Sequence, residues 1–160
     1  NRYKNSLLNT GVLEKQIINQ ACFDLETKIQ HNPNSVESRL EISKFINEAL
    51  SCYKNDSQRI FAGLCCTHYG FSEKIFYEEL SKLVDAKVEI LNPNSVMLNF
   101  IFEDKTKYYP KTKISVRLIS RVKLKQNEMN SLSNILFDNS PMTANALLNY
   151  EFVEDLFDRV

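Results

Sequence analysis

The chain has 160 residues, 43% hydrophobic and 25% charged, the make-up of a folded domain with its own core. Its 20 Lys and Arg balance 20 Asp and Glu. This excludes a protein that coats nucleic acid through overall basic charge, although a local basic surface stays open. No apolar run reaches the roughly 18 residues of a membrane span, and neither GxGxxG nor GxxxxGK[ST] occurs among so few glycines.

The chain opens Asn1-Arg2-Tyr3 without Met and ends in a helical pattern, as expected of a piece of a longer protein. We read it as one domain with N-terminal helices over 1–55, a core over 56–125 and a helical appendage over 126–160. Leu13, Ile17, Ile18, Ala21, Cys22, Leu25 and Ile29 recur at helical spacing and predict a helix over 12–29. Pro33 ends it by pushing Asn32 out of the helical region. Ser35 or Ser38 then caps a second helix with the stripe Val36, Leu40, Ile46, Ala49, Leu50 and Tyr53.

Asp56 is the predicted cap of a third helix, with Ile60, Phe61, Leu64 and Cys65 on its face and its end near Tyr69. Gly70 is expected to supply a left-handed residue, and Ser72 to cap the next helix, 73–84, whose face is Ile75, Phe76, Leu80, Leu83 and Val84. Two helices joined by Tyr69-Gly70-Phe71-Ser72 have the spacing of a helix-turn-helix. Alternation then predicts strands over 86–91 and 96–102, with Asn92-Pro93-Asn94-Ser95 as the turn between them. A third, long strand is predicted over 113–125, with Ile114, Val116, Leu118, Val122 and Leu124 on one face and the cations on the other.

Helices over 128–137 and from Ser140-Pro141 towards Val160 close the chain. In the last one, Glu151, Glu154, Asp155 and Asp158 fall on a single stripe. The tetrapeptide Asn-Pro-Asn-Ser occurs at 32–35 and 92–95, and the differing flanks read as chance.

The expected fold is α+β: N-terminal helices, a helix-turn-helix followed by a three-stranded antiparallel sheet, and C-terminal helices. Over 56–125 this order resembles a winged-helix domain. That resemblance implies a hairpin wing, helix 73–84 in the recognition position, and a role in DNA binding or protein docking. Glu73, Glu78 and Glu79 on that helix speak against insertion into a groove, where carboxylates meet phosphates.

Charge is segregated. From Lys105 to Lys125 the chain carries eight basic residues and no acidic one, whereas 126–160 has a net charge of −5. Cations on alternate residues of a strand lie about 6.6–6.8 Å apart and suit successive phosphates, and tyrosines stack on bases. The candidate nucleic-acid-binding residues are therefore Lys107, Tyr108, Tyr109, Lys111, Lys113, Arg117, Arg121 and Lys123.

The four cysteines, Cys22, Cys52, Cys65 and Cys66, lack the paired spacing of a zinc site, even with His68 beside them. Reduced thiols in an intracellular protein are expected. Cys66 and His68 make a poor dyad on a helix, where residues two apart diverge. Glu103-Asp104-Lys105 with Asp85 resembles the metal-binding set of PD-(D/E)xK nucleases, but the middle residue of that motif is apolar. The sequence thus predicts a non-catalytic interaction module without cofactor or metal, associated with chromatin or nucleic acid and contacting a polyanion through a basic strand. The alternative is a protein-docking domain within a larger complex, or a homodimer, using helix 73–84 or the terminal helices.

Overall fold

Hydrogen bonding by short polar side chains sets several element boundaries in this protein, at Ser35, Asn92, Ser120 and Ser140. The computed structural model describes residues 2–51, 53, 57–101, 111 and 113–157, with backbone alone over 98–101. In chain order the elements are α1 (Arg2–Asn9), a 3-10 turn (Glu14–Gln16), α2 (Leu25–His31), α3 (Val36–Leu50), β1 (Arg59–Gly63) and a second 3-10 turn (Thr67–Ser72). They continue with α4 (Glu73–Ser81), β2 (Lys87–Leu91), α5 (Pro93–Ile101), β3 (Ile119–Ser120), α6 (Gln126–Phe137), α7 (Pro141–Leu148) and β4 (Glu151–Phe152).

Both Asn-Pro-Asn-Ser copies fold into the same turn. Asn32 Oδ1 accepts from Asn34 N–H and Asn92 Oδ1 from Asn94 N–H, each at 3.1 Å. Ser35 N–H donates to Asn32 C=O at 3.1 Å, and Ser95 N–H to Asn92 C=O at 3.2 Å. Asn side chains favour such local bonds. Each turn leads into a helix, so local chemistry repeats although the flanks do not. After the first copy, Ser35 caps α3 by accepting from Ser38 N–H at 3.0 Å. After the second, Pro93 opens α5, where its missing N–H costs nothing.

The α+β composition stands, but the expected sheet does not. Among the described residues the strands form two parallel pairs, β1 with β2 and β3 with β4, and no three-stranded antiparallel sheet is present. A parallel pair needs a crossover. The first crossover is the second 3-10 turn with α4; the other is α6 with α7. Residues 59–63, expected within a third helix, are β1, so the helix-turn-helix is absent. Ile60 and Ala62 turn towards the core while Phe61 lies 53% exposed, which is period-two burial. Residues 93–101, expected to hold most of a strand, are helix α5.

The long helix predicted over 12–29 is helical only from Leu25, apart from the 3-10 turn, and Leu13 and Ile18 are exposed. Helix α3 forms as expected but buries Ser38, Ile42, Phe45 and Ile46, leaving Val36 and Leu40 exposed. Helix α7 starts at Pro141, with Ser140 Oγ accepting from Thr143 N–H, and stops at Leu148. Over 151–157 the expected acidic helical stripe is therefore replaced by β4 and a turn, and Asp158 lies outside the described residues.

The main core joins α2, α3, α4, β1 and β2 through Leu25, Ile29, Ile42, Phe45, Ile75, Phe76, Leu80 and Val88. Ser38 and Ser72 are also buried. Ser38 donates to Asn32 C=O at 2.7 Å, and Ser72 donates to Pro33 C=O at 2.8 Å. Ser72 stands before α4, yet its hydroxyl makes no cap. Gly70 does not take a left-handed φ; its lack of a side chain admits Asn92, whose amide atoms would lie 3.0–3.2 Å from a Cβ there.

A smaller core, Met129, Ala144 and Leu147, lies between α6 and α7. The two regions meet at a polar joint. Glu128 accepts from Gln30 at 3.0 Å and lies 3.5 Å from His31 Nδ1 and 3.4 Å from Lys125 Nζ.

Candidate nucleic-acid interface

Of the residues singled out in the sequence, Lys107, Tyr108 and Tyr109 lie outside the described residues, as do Glu103, Asp104 and Lys105. Lys111, Lys113, Arg117, Arg121 and Lys123 are all exposed, and so is Lys125. They do not sit on one long strand. From 113 to 125 only Ile119 and Ser120 are strand, where β4 pairs alongside. Glu151 N–H donates to Leu118 C=O and Val153 N–H to Ser120 C=O, each at 2.9 Å.

The strand stops because Ser120 bonds locally. Its hydroxyl accepts from Val122 N–H at 3.0 Å and donates to Val122 C=O at 2.8 Å, which bends the chain at 121–122. Beyond the bend, Leu124 N–H donates to the Tyr150 hydroxyl at 3.0 Å. The cations therefore form two short groups around a bend, Lys111, Lys113 and Arg117 before it, Lys123 and Lys125 after it, with Arg121 at the turn. Three of the five apolar residues expected to face a sheet are exposed, Ile114, Val116 and Val122 at 59%, 40% and 63%, while Leu118 and Leu124 are half-buried.

Some of this charge is countered within the fold. The strand pairing sets Glu151 opposite Ile119, and its carboxylate accepts from the Arg117 guanidinium, with Nε at 3.1 Å. Lys125 pairs with Glu128, and Lys123 lies 5.1 Å above the Phe152 ring, a cation–π contact. Lys111, Lys113 and Arg121 form no ion pair among the described residues. Among the described residues, the acidic stretch 126–160 thus reaches the basic segment through Glu128 and Glu151.

Helix α4, expected to offer a docking face, spends its carboxylates inside the fold. Arg39 forks between Glu78 (2.7 Å) and Glu79 (2.5 Å), and Lys82 adds a 2.8 Å bond to Glu79. The Lys82 hydrogen bond holds the Glu79 carboxyl below its usual range; burial opposes this and Arg39 reinforces it. Glu73 accepts from Asn92 at 2.8 Å. What α4 leaves outward is mainly Lys74 and the half-exposed Tyr77.

Among the described residues no three His, Cys, Asp or Glu side chains converge as a metal site, and no helix is long and apolar enough to cross a membrane. Sequence reasoning missed one contact: Cys66 Sγ lies 3.7 Å from His68 Nδ1. The false helix over 56–69 hid it. Family models, curated proteins and solved structures offer no match to the chain.

Proposed function

We propose that the protein is a non-catalytic interaction module that binds nucleic acid through the exposed basic segment 111–125. The observation that carries this reading is the uneven charge. Six cations are exposed along this segment, and among the described residues carboxylates reach only Arg117 and Lys125. Lys111, Lys113, Arg121 and Lys123 remain for phosphates, and each phosphate neutralised releases condensed counterions. Such contacts position a backbone and read no sequence. Affinity is expected to be non-specific, in the range of about 10⁻⁴–10⁻⁶ M at physiological salt.

Fluorescence anisotropy with labelled single strands and duplexes, titrated at salt from about 50 to 200 mM, tests this. Four contacts give a log–log slope of about −3 on a single strand. Replacing Lys113 and Arg121 by Ala is expected to halve that slope. Absence of binding at the lowest salt, or an affinity indifferent to salt, would defeat the reading.

Exposed Ile114, Val116 and Val122 favour a second reading. Nucleic acid leaves aliphatic side chains uncovered, whereas a strand from an acidic protein partner covers them and pairs their backbone. Light scattering separates this from self-association, because a second copy brings like charge to the same segment.

A further inference from the structure

Cys66 and His68 lie just beyond β1, at the carboxyl end of the β1–β2 pair. In open parallel sheets that end gathers loops and ligand sites. Cys66 has extended backbone, φ −129° and ψ 137°. Its sulfur stands 3.7 Å from His68 Nδ1, within hydrogen-bond reach for sulfur, and both residues are half-buried. The backbone around them is fixed from several sides. Tyr69 N–H donates to Cys66 C=O at 3.1 Å, and the Asn94 side-chain amide donates to Thr67 C=O at 3.1 Å. The Tyr69 hydroxyl reaches across to Cys22 C=O at 3.2 Å. The pair is thus held by the β1 exit, the turn before α5 and the segment before α2, and it takes no part in the basic segment.

We propose that Cys66 is a nucleophilic thiol assisted by His68, and a site of covalent modification by soft carbon electrophiles. The Sγ proton passes to Nδ1, and the sulfur electron pair forms the new C–S bond. The leaving group departs with the electrons of the broken bond, and the imidazolium returns its proton to water. Two other thiols serve as references within the same fold. Burial pushes the Cys22 thiol up to about 11 and also raises that of Cys65, so both stay protonated near neutrality. Cys65 is nevertheless the more exposed of the adjacent pair, so accessibility alone predicts that it reacts faster than Cys66.

Iodoacetamide, whose iodide leaves, is the probe, applied to the full chain with fragment mass spectra separating the adjacent cysteines. At about pH 6, Cys66 is expected to alkylate about tenfold faster than Cys65. His68→Asn and His68→Gln are each expected to bring it down to the Cys65 rate while circular dichroism stays unchanged. In urea the unsubstituted chain is expected to lose the difference. A native Cys66 no faster than Cys65 would overturn the proposal. So would an advantage that survives urea or persists in either folded His68 variant.

Discussion

Removing one hydroxyl at Ser72 and one at Ser81 should move stability in opposite directions. Ser72 is 1% exposed and donates to Pro33 C=O at 2.8 Å, tying the entry of α4 to the α2–α3 turn. In Ser72→Ala the lost bond contributes about 1 kcal/mol, and a buried carbonyl left without a donor costs about 1–3 kcal/mol; we expect about 2 kcal/mol in all. Ser81 Oγ is buried with no hydrogen-bond partner among the described residues. Ser81→Ala removes a desolvated group that gains nothing and improves helix propensity, so it should be neutral or stabilise by about 1 kcal/mol. Urea unfolding followed by far-UV circular dichroism reads both. At about 2 kcal/mol per molar urea, the Ser72→Ala midpoint falls by about 1 M. A fall below about 0.3 M, or similar losses in both variants, would refute the reasoning.

Three further outcomes follow from the same contacts. Because Glu79 titrates lower in the fold than its ordinary value of 4.5, its stabilisation is complete above that value and lost as pH falls through the folded one. Thermal melts across acid pH should show a flatter profile in Glu79→Gln than in the parent. Glu151→Gln frees Arg117, and anisotropy titrations should then give tighter nucleic-acid binding with a salt slope steeper by about 0.7–0.9. Gly70→Ala places a Cβ 3.0 Å from Asn92 Nδ2, disturbing the bond to Glu73, and should cost about 1–3 kcal/mol in urea. In Gly63→Ala, the control, the nearest atom is Cys65 Sγ at 3.9 Å.

Where local hydrogen bonding decides structure, the sequence was readable. Ser35 at the start of α3, Ser140-Pro141 at the start of α7, and the strand ending at Leu91 all form as the residue types demand. The failures have physical causes. Ile60, Phe61, Leu64 and Cys65 fit a helical face, but Ile60, Ala62 and Leu64 equally fit a strand face, and short apolar runs support either. Pairing with β2 settled it, and β2 lies over twenty residues away. Residues 96–101 alternate, yet Asn92 and Pro93 start a helix before that alternation can act. The segment 113–125 alternates most regularly and still stays mostly unpaired, because alternation states a capacity for pairing and does not supply a partner. The exposed cations of 111–125 were legible as a charge run; their partial neutralisation by Glu151 depended on a strand at 151–152 that a helical reading concealed. The Cys66–His68 contact was lost to the same kind of error.

The polar joint at Glu128 has a consequence for how the molecule opens. The β3–α6–α7–β4 region buries its own small core and meets Gln30 and His31 of α2 at the Glu128 carboxylate, while the fully buried Leu25, Ile29 and Ile42 belong to the main core. Separating the regions exposes little of that core, so amide protons in α6 and α7 would exchange through a sub-global opening while α3 and β2 exchange only when the whole fold is lost. The segment bearing the cations leads directly into the looser region. An anion bound there would be read out as slower exchange in α6 and α7, at a distance from the contacts themselves.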